Sequence, residues 1–246
     1  MTQTVGCCLT PSAASTASAV TLSVLVPAYN EERFIAQILE KVLAEPTSKE
    51  IVVVDDGSKD RTAAIMETFA DRGVRLIRHE HNSGKGAAVH TALRHARGRF
   101  VIIQDADLEY DPNDFSAILA PLLSGRSDVV YGSRNLLRNP RVSRLFYWGG
   151  RGVTFVANIL FGSHLTDEAT CYKAMKRDLM ETLHLQSRGF GFCAEVTGKI
   201  LRRGVKIIEV PITYSPRGWE EGKKIKMSDG AAAALILLWY RFFERP

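Results

Sequence analysis

The sequence predicts an α/β fold with a single doubly wound, mostly parallel sheet and helices on both of its faces. Short apolar runs rich in β-branched residues alternate with amphipathic stretches through the first half of the chain. This is the pattern of buried parallel strands joined by helices. Acids, a lysine and an arginine follow the apolar runs. Because open α/β sheets bind ligands at the carboxyl ends of their strands, the same pattern predicts a site there.

Five strands and four helices are expected in the first half of the chain. The predicted strands cover residues 22–27, 49–55, 74–78, 100–105 and 128–131. The first predicted helix starts near residue 30, and the second covers 61–71. The third follows the glycine-bearing turn at 82–88, and the fourth covers 114–123. In the first helix, apolar residues recur at the three- and four-residue spacing that buries one helix face.

The second half contains longer helical patterns. We expect helices over 142–161, 192–203 and 229–243, the last of them capped by Ser228, and strands over 170–175 and 205–212. Residues 1–20 are small and polar, without the basic start or apolar centre of a signal peptide. They are interpreted as a disordered tail that precedes one domain over 21–246, a length that one large α/β core accommodates.

Composition narrows the class of protein. Hydrophobic residues make up 46% and charged residues 24% of the 246 residues, which is typical of a soluble globular protein. The net charge of +5 favours phosphate-bearing ligands or an anionic membrane surface, and no nucleic acid partner is expected because aromatic and basic residues do not interleave. The four cysteines lack metal-ligand or disulfide spacing and fit a reducing compartment. The longest apolar stretch, 231–240, is shorter than the roughly 20 residues of a membrane span.

Three acids mark the end of the fourth predicted strand. Asp105 and Asp107 follow the apolar run 100–103, and Glu109 comes two residues later. Alternation in an extended segment places the three carboxylates on one side. Such oxygen ligands suit a hard divalent cation, Mg²⁺ or Mn²⁺. The alternative is that they are solvated acids that cap the next element.

A second candidate lies in the turn before the third helix. Gly84 and Gly86 could let backbone N–H groups approach a phosphate at the start of the helix, with Lys85 as a point charge. The turn matches neither of the common phosphate-binding glycine motifs. An ordinary turn and helix cap is therefore the alternative.

Four motifs in order resemble the GT-A fold of family 2 glycosyltransferases. They are VPAYNEE at residues 26–32, VVDDGS at 53–58, GKG at 84–86 and DAD at 105–107. Three further segments are similar to polyprenyl-phosphate hexose synthases of the dolichol-phosphate mannose synthase kind. These are QDADLE at 104–109, GSR at 132–134, and VPI at 210–212 followed by Arg217 and GKKI at 222–225.

The resemblance implies a role for each matching position. The nucleoside would be held by Pro27, Tyr29, Glu31, Val54 and Asp56, and the rest of the nucleotide-sugar pocket would be lined by Gly84, Lys85, Asp105 and Ala106. Asp107 and Glu109 would bind the metal, although the family usually has Gln or another polar residue at the second position. Phosphates would be met by Arg134, Arg217 and Lys223, and Asp167 would position the acceptor. The residues expected to carry catalysis are Asp105, Asp107, Arg134 and Arg217.

The resemblance implies an inverting, metal-dependent transfer of a hexose from a nucleotide sugar to a polyprenyl phosphate. GDP-mannose is the favoured donor and UDP-glucose the next, with a donor half over about 21–134 and an acceptor half over about 135–246. A phosphate monoester acceptor needs no general base, because its second pKa of about 6 leaves it largely dianionic near neutrality. The helices 142–161 and 235–243 mix aromatic residues with arginine. They are expected to make peripheral contact with the cytoplasmic face of a membrane. The alternative is that they pack in the core and extend their arginines to solvent.

Two other functions stay open at this stage. Asp167 or Glu168 lies where relatives that transfer to a sugar hydroxyl carry their catalytic base, so a hydroxyl acceptor is one alternative. A non-catalytic module that binds nucleotide sugars is the other. Such a module would be expected to lack the metal-binding acids, and Asp105, Asp107 and Glu109 are all present.

Overall fold

The computed structural model describes residues 20–140, 143–217 and 227–243, which form one seven-stranded sheet flanked by helices. Residues 1–19 of the predicted tail lie outside the described residues. The strand order is β3-β2-β1-β4-β6-β5-β7. The strands are β1 Leu22–Ala28, β2 Lys49–Asp55, β3 Val74–Arg78, β4 Phe100–Ile103, β5 Val129–Ser133, β6 Lys173–Lys176 and β7 Ile207–Pro211.

Eight α-helices connect or cover these strands within the described residues. They are α1 Ile35–Ala44, α2 Thr62–Glu67, α3 Lys85–His95, α4 Phe115–Leu123, α5 Arg144–Phe161, α6 Arg177–Thr182, α7 Phe192–Arg202 and α8 Met227–Phe242. Short 3-10 turns at Ala70–Arg72 and Pro112–Asp114 continue α2 and precede α4. None of the helices that the structure describes is long and apolar enough to cross a membrane.

The sheet brings the predicted site segments to one edge. Parallel pairing joins β1 to β2 and β4, β2 to β3, and β5 to β7. β6 is antiparallel to both of its neighbours, β4 and β5, so those two strands point the same way. β1 and β4 are buried almost throughout, as the apolar runs predict. The loops after β1, β2, β4 and β5 therefore meet at the carboxyl edge.

Several predicted boundaries are wrong for identifiable reasons. The first helix begins at Ile35 rather than near Asn30, because the N–H groups of Asn30 and Glu31 donate to the hydroxyls of Ser58 and Thr62 at 2.9 and 2.8 Å. The strand expected over 170–175 begins only at Lys173. The final helix already includes Ser228, which therefore does not cap it.

Helices α5, α7 and α8 form a second small core beside the sheet. Val153 and Ala157 of α5, Ala194 of α7 and Leu237 of α8 are buried together. The helices α5 and α8 run side by side in the same direction, since Gly230 lies against Val153 and Arg241 lies over the Phe161 ring. Their opposite faces remain exposed, and both faces carry large apolar side chains.

Candidate active site

A cleft of about 420 Å³ opens at the carboxyl edge of the sheet and extends between α5 and α8. This volume lies within the range of small-molecule sites. One end is lined by residues from the loops after β1, β2 and β4, among them Tyr29, Glu31, Asp56, Lys85, Asp105, Ala106, Asp107 and Glu109. The other end is lined by Arg134, Arg151, Asp167, Glu168, Val153 and Ala233. The predicted donor and acceptor groups thus face one continuous space.

A single guanidinium gathers three acids at the first end of the cleft. Arg217 places Nη1 3.1 Å from Glu31 Oε2, Nη2 2.9 Å from Asp107 Oδ2 and Nε 3.9 Å from Glu109 Oε1. The Arg217 backbone N–H also donates to Glu109 Oε1 at 2.9 Å. Arg217 was predicted to bind phosphate, but in this structure it contacts Asp107 and Glu109, the two predicted metal ligands. Among the described residues, Arg217 therefore faces carboxylates from the loops after β1 and β4.

The prediction that Asp105, Asp107 and Glu109 lie on one side of an extended segment is wrong. β4 ends at Ile103, and residues 106–107 form a turn followed by Leu108 at a φ of 62°, so the segment is not extended. Asp105 consequently pairs with Lys85 at 2.6 Å, whereas Asp107 and Glu109 face Arg217. The turn is closed locally, because the Glu109 N–H donates to Asp107 Oδ1 at 3.1 Å.

Burial and neighbouring charges alter the protonation of two groups in this cluster. Burial, together with the negative fields of Asp105 and Glu109, raises the pKa of Asp107 to about 7. Burial alone would lower the pKa of Lys85, but the Asp105 carboxylate and nearby thiols raise that pKa well above its ordinary value. Lys85 therefore remains a cation, and Asp107 lies where added positive charge would be stabilising.

The residues at this end fit a divalent metal that shares its coordination with a ligand. Asp107 and Glu109 offer carboxylate oxygens, and a bound cation would stabilise the ionised form of Asp107, which burial and then the charges of Asp105 and Glu109 disfavour. Within the described ranges, no group of three or more His, Cys, Asp or Glu side chains could hold a metal ion by itself. Mg²⁺ is commonly bound by one or two carboxylates and completed by phosphate oxygens and water. Diphosphate oxygens would serve that purpose here.

The glycine turn before α3 packs closely against a distant segment of the same chain. Gly84 has a φ of 99°, and its N–H donates to Asp56 Oδ2 at 2.7 Å. A side chain at Gly84 or Gly86 would collide with the carbonyl groups of Ser187 and Arg188. The Arg188 carbonyl also accepts a 3.0 Å hydrogen bond from the Ala87 N–H at the helix start. The glycines therefore allow close packing of the chain itself, and Gly84 and Lys85 also line the cleft, so their contact with the nucleotide sugar stays a prediction.

Asp56 organises the same turn. Its carboxylate accepts hydrogen bonds from the N–H groups of Ser83 and Gly84 at 3.0 and 2.7 Å and lies 2.7 Å from His79 Nδ1. It lines the cleft, as the nucleoside prediction requires. The Val54 side chain does not reach the cleft, because it is fully buried in β2 between β1 and β3. The predicted phosphate ligand Lys223 lies outside the described residues.

An ion pair defines the second end of the cleft. Arg134 follows β5, and its Nε and Nη2 bind the two oxygens of Asp167, each at 2.7 Å. The Arg134 backbone N–H donates to the same carboxylate at 2.9 Å. Asp167 is held in turn by Glu209, which accepts from its N–H at 2.9 Å. Arg134 Nη1 makes no hydrogen bond with the described residues and remains available to a ligand.

Two cleft residues were missed by the sequence analysis. Tyr214 donates its hydroxyl to Glu109 Oε2 at 2.7 Å, and its ring lies 5.1 Å from the Arg134 guanidinium carbon, so it joins the two ends of the cleft. Arg151 is exposed on α5, and Nη1 donates to the Thr166 carbonyl at 3.3 Å. Arg151 has no acidic partner among the described residues. The only sequence signal for it was an arginine in an apolar helix without acids.

These features are those of a glycosyltransferase, and the chain belongs to glycosyl transferase family 2. The model of that family matches residues 23–183. The chain is 31% identical to a dolichyl-phosphate beta-glucosyltransferase of Trichomonas vaginalis, an alignment that covers 92% of this chain and 74% of the relative. It is 28% identical to an undecaprenyl-phosphate mannosyltransferase of Micrococcus luteus, with 87% and 92% covered.

Solved structures confirm the predicted GT-A fold. Glucosyl-3-phosphoglycerate synthase from Mycobacterium tuberculosis, solved with Mn²⁺, UDP and glucosyl-3-phosphoglycerate, superposes with a TM-score of 0.69. The sequences are 22% identical, and the alignment covers 92% of this chain and 81% of the synthase. At this identity the likeness establishes the fold.

Proposed function

We propose that this protein transfers a hexose from a nucleotide sugar to a polyprenyl phosphate, with a divalent metal bound by Asp107 and Glu109. The observation that best supports this proposal is that one cleft has an acid cluster at one end and arginines beside apolar helices at the other. One of the two relatives is a dolichyl-phosphate glucosyltransferase and the other an undecaprenyl-phosphate mannosyltransferase, which supports this class of acceptor. Their sugars differ, so GDP-mannose and UDP-glucose are both proposed as donors.

The donor end suits a leaving diphosphate. A bound metal would stabilise the negative charge that develops on the diphosphate, as Mn²⁺ and UDP in the solved synthase suggest. Lys85 supplies a second positive charge from the cleft wall. Arg217 would exchange its present carboxylate partners for phosphate oxygens when the acids take up the metal.

The acceptor end suits a phosphate nucleophile. Arg134 Nη1 and Arg151 offer donors to a phosphate, and both residues line the cleft. A phosphate oxygen would bond to the anomeric carbon as the bond to the diphosphate breaks, and the electron pair would leave on the diphosphate. No base is required for this reaction. Asp167 is also poorly placed to serve as a base for a hydroxyl acceptor, because both of its oxygens bind Arg134.

The outer faces of α5 and α8 support peripheral contact with an anionic membrane. They expose Leu145, Trp148, Phe155, Ile159, Leu235, Trp239 and Phe242. Helix α5 carries two arginines, Arg144 and Arg151, and no acid. Aromatic and basic residues on one amphipathic surface are typical of helices that lie in the membrane interface. The acceptor phosphate could then enter the cleft between these helices without leaving that interface.

Replacing both exposed tryptophans should weaken membrane binding. Trp148 and Trp239 are 67% and 57% exposed, and losing two large apolar side chains is expected to lower vesicle affinity at least about tenfold. The measurement is flotation with phosphatidylcholine and phosphatidylglycerol vesicles that lack polyprenyl phosphate. The control is Leu123→Ser, which changes a 54% exposed leucine on α4. Equal flotation of the wild type, Trp148→Ser/Trp239→Ser and Leu123→Ser would reject the membrane surface.

Calorimetric titration with GDP and UDP, each with and without Mn²⁺, tests the donor site. Metal-dependent binding of one nucleotide is expected and would show whether the donor is a GDP-sugar or a UDP-sugar. If neither nucleotide binds, the donor assignment is wrong.

A further inference from the structure

Glu168 has a buried carboxylate oxygen with no hydrogen-bond partner among the described residues. The residue is 1% exposed and lines the cleft. Its backbone N–H donates to the Thr154 hydroxyl of α5 at 3.0 Å, which fixes the residue against that helix. A buried acceptor that is left without a donor destabilises the folded protein. A buried, unpartnered acceptor on a residue that lines the cleft suggests a ligand that supplies the missing donor.

Lys173 balances the charge of Glu168 without satisfying the orphan oxygen Oε1. Its Nζ lies 3.9 Å from Oε1, beyond hydrogen-bonding distance. The same Nζ donates instead to the Glu168 carbonyl at 2.6 Å and to the Thr197 hydroxyl at 3.1 Å. Lys173 is fully buried and lies over the Tyr131 ring. The pair is thus held in place from β6 and α7, and Oε1 is left for another group.

The chemistry of the cleft selects the kind of ligand. A phosphate is anionic and largely lacks donors, so a carboxylate would repel it, whereas a sugar hydroxyl is a neutral donor. Arg134 and Lys85, the candidates for binding the acceptor phosphate and the donor diphosphate, line the same cleft as Glu168. A group held between the acceptor phosphate and the donor diphosphate would therefore lie in this cleft. The hexose of the donor is such a group. We propose that Glu168 accepts a hydrogen bond from a hydroxyl of the transferred hexose and helps to select it.

This inference rests on the proposed function. Comparing a nucleoside diphosphate with its nucleotide sugar distinguishes a failure of the inference from a failure of the proposed function. The nucleoside diphosphate probes the donor site without the sugar, and the corresponding nucleotide sugar adds only the hexose. The pairs are UDP with UDP-glucose and GDP with GDP-mannose, each titrated in Mn²⁺. Glu168→Gln should weaken nucleotide-sugar binding about tenfold and leave nucleoside diphosphate binding unchanged, because a neutral amide replaces a charge-assisted acceptor.

A second buried acid provides a matched control. Glu45 is 5% exposed and pairs with Lys49 at 3.4 Å, at the amino end of β2 and far from the carboxyl edge. Glu45→Gln should therefore leave both ligands' affinities unchanged, even if it lowers thermal stability as much as Glu168→Gln does. This comparison separates the loss of a buried ion pair from the loss of a sugar contact.

Deoxy analogues of the nucleotide sugar locate the hydroxyl. Removing the hydroxyl that Glu168 contacts should weaken binding to the wild type about tenfold and have little further effect on Glu168→Gln. If the variant loses diphosphate and nucleotide-sugar affinity equally, or loses neither, the sugar contact is wrong and the proposed function stands. Lost turnover with intact nucleotide-sugar binding would instead assign Glu168 to the acceptor and overturn the inference. If no nucleotide binds to the wild type, the proposed function fails, and the inference fails with it.

Discussion

Asp107→Ala should abolish metal-dependent nucleotide binding and reduce hexose transfer by at least about 10²–10³-fold, the usual effect of removing one stabiliser of transition-state charge. Asp107 lies in the acid cluster at the donor end, 2.9 Å from Arg217. Its loss would leave Glu109 as the single predicted metal ligand. Calorimetry with Mn²⁺ and a transfer assay would measure the two effects.

This loss of activity should occur without loss of stability. The pKa of Asp107 is raised to about 7 in the folded protein, above its unfolded value of about 3.9. The folded state therefore binds this proton more tightly, and ionisation opposes folding as the pH rises from about 4 to about 7. Removing the acid should leave the metal-free Tm at pH 7.5 unchanged or higher. Asp71→Ala, at an exposed acid of the turn after α2, is the control, and an active Asp107→Ala would refute the metal site.

Arg134→Ala should reduce use of the lipid phosphate about 10²-fold while nucleotide affinity changes little. The guanidinium holds Asp167 through Nε and Nη2 and presents Nη1 to the cleft. Asp167 is 1% exposed, so the variant would also bury an unpaired carboxylate, at a cost of about 3–5 kcal/mol. Steady-state kinetics with varied polyprenyl phosphate and thermal unfolding would measure both effects.

A double variant separates catalysis from folding at this pair. Arg134→Ala/Asp167→Ala removes both charges and should recover part of the lost stability without recovering activity. If the double variant regains transfer, the pair is structural. If Arg134→Ala weakens nucleotide and lipid phosphate equally, its guanidinium serves the diphosphate instead.

Much of the fold in the first half of the chain could be predicted from local sequence patterns. The strands of the second half are determined by pairing with strands far away in sequence. Residues 100–103 read as a buried strand because every one of them is apolar, and β4 is fully buried. β6 is antiparallel between two strands that precede it in the chain, and no local pattern specifies that insertion. Its start at Lys173 is likewise set by tertiary contacts.

The site was predicted as a set of residues better than as a geometry. The acids, Lys85 and Arg134 do line one cleft. Arg217, however, reaches Glu31 across 186 positions of the chain, and such a contact leaves no trace in a short motif. The packing of Ser187 on the glycine turn is also a contact between segments far apart in sequence. Motifs could therefore name the donor residues but not their partners.

The most direct test of the proposed reaction is transfer to a lipid phosphate compared with the matching lipid alcohol. The protein would be incubated with Mn²⁺, GDP-mannose or UDP-glucose, and either a polyprenyl phosphate or the polyprenol of equal chain length, with products identified by mass spectrometry. We predict a hexosylated polyprenyl phosphate with one of the donors and no product from the alcohol. A product from the alcohol, or none from the phosphate with either donor, would contradict the proposed function.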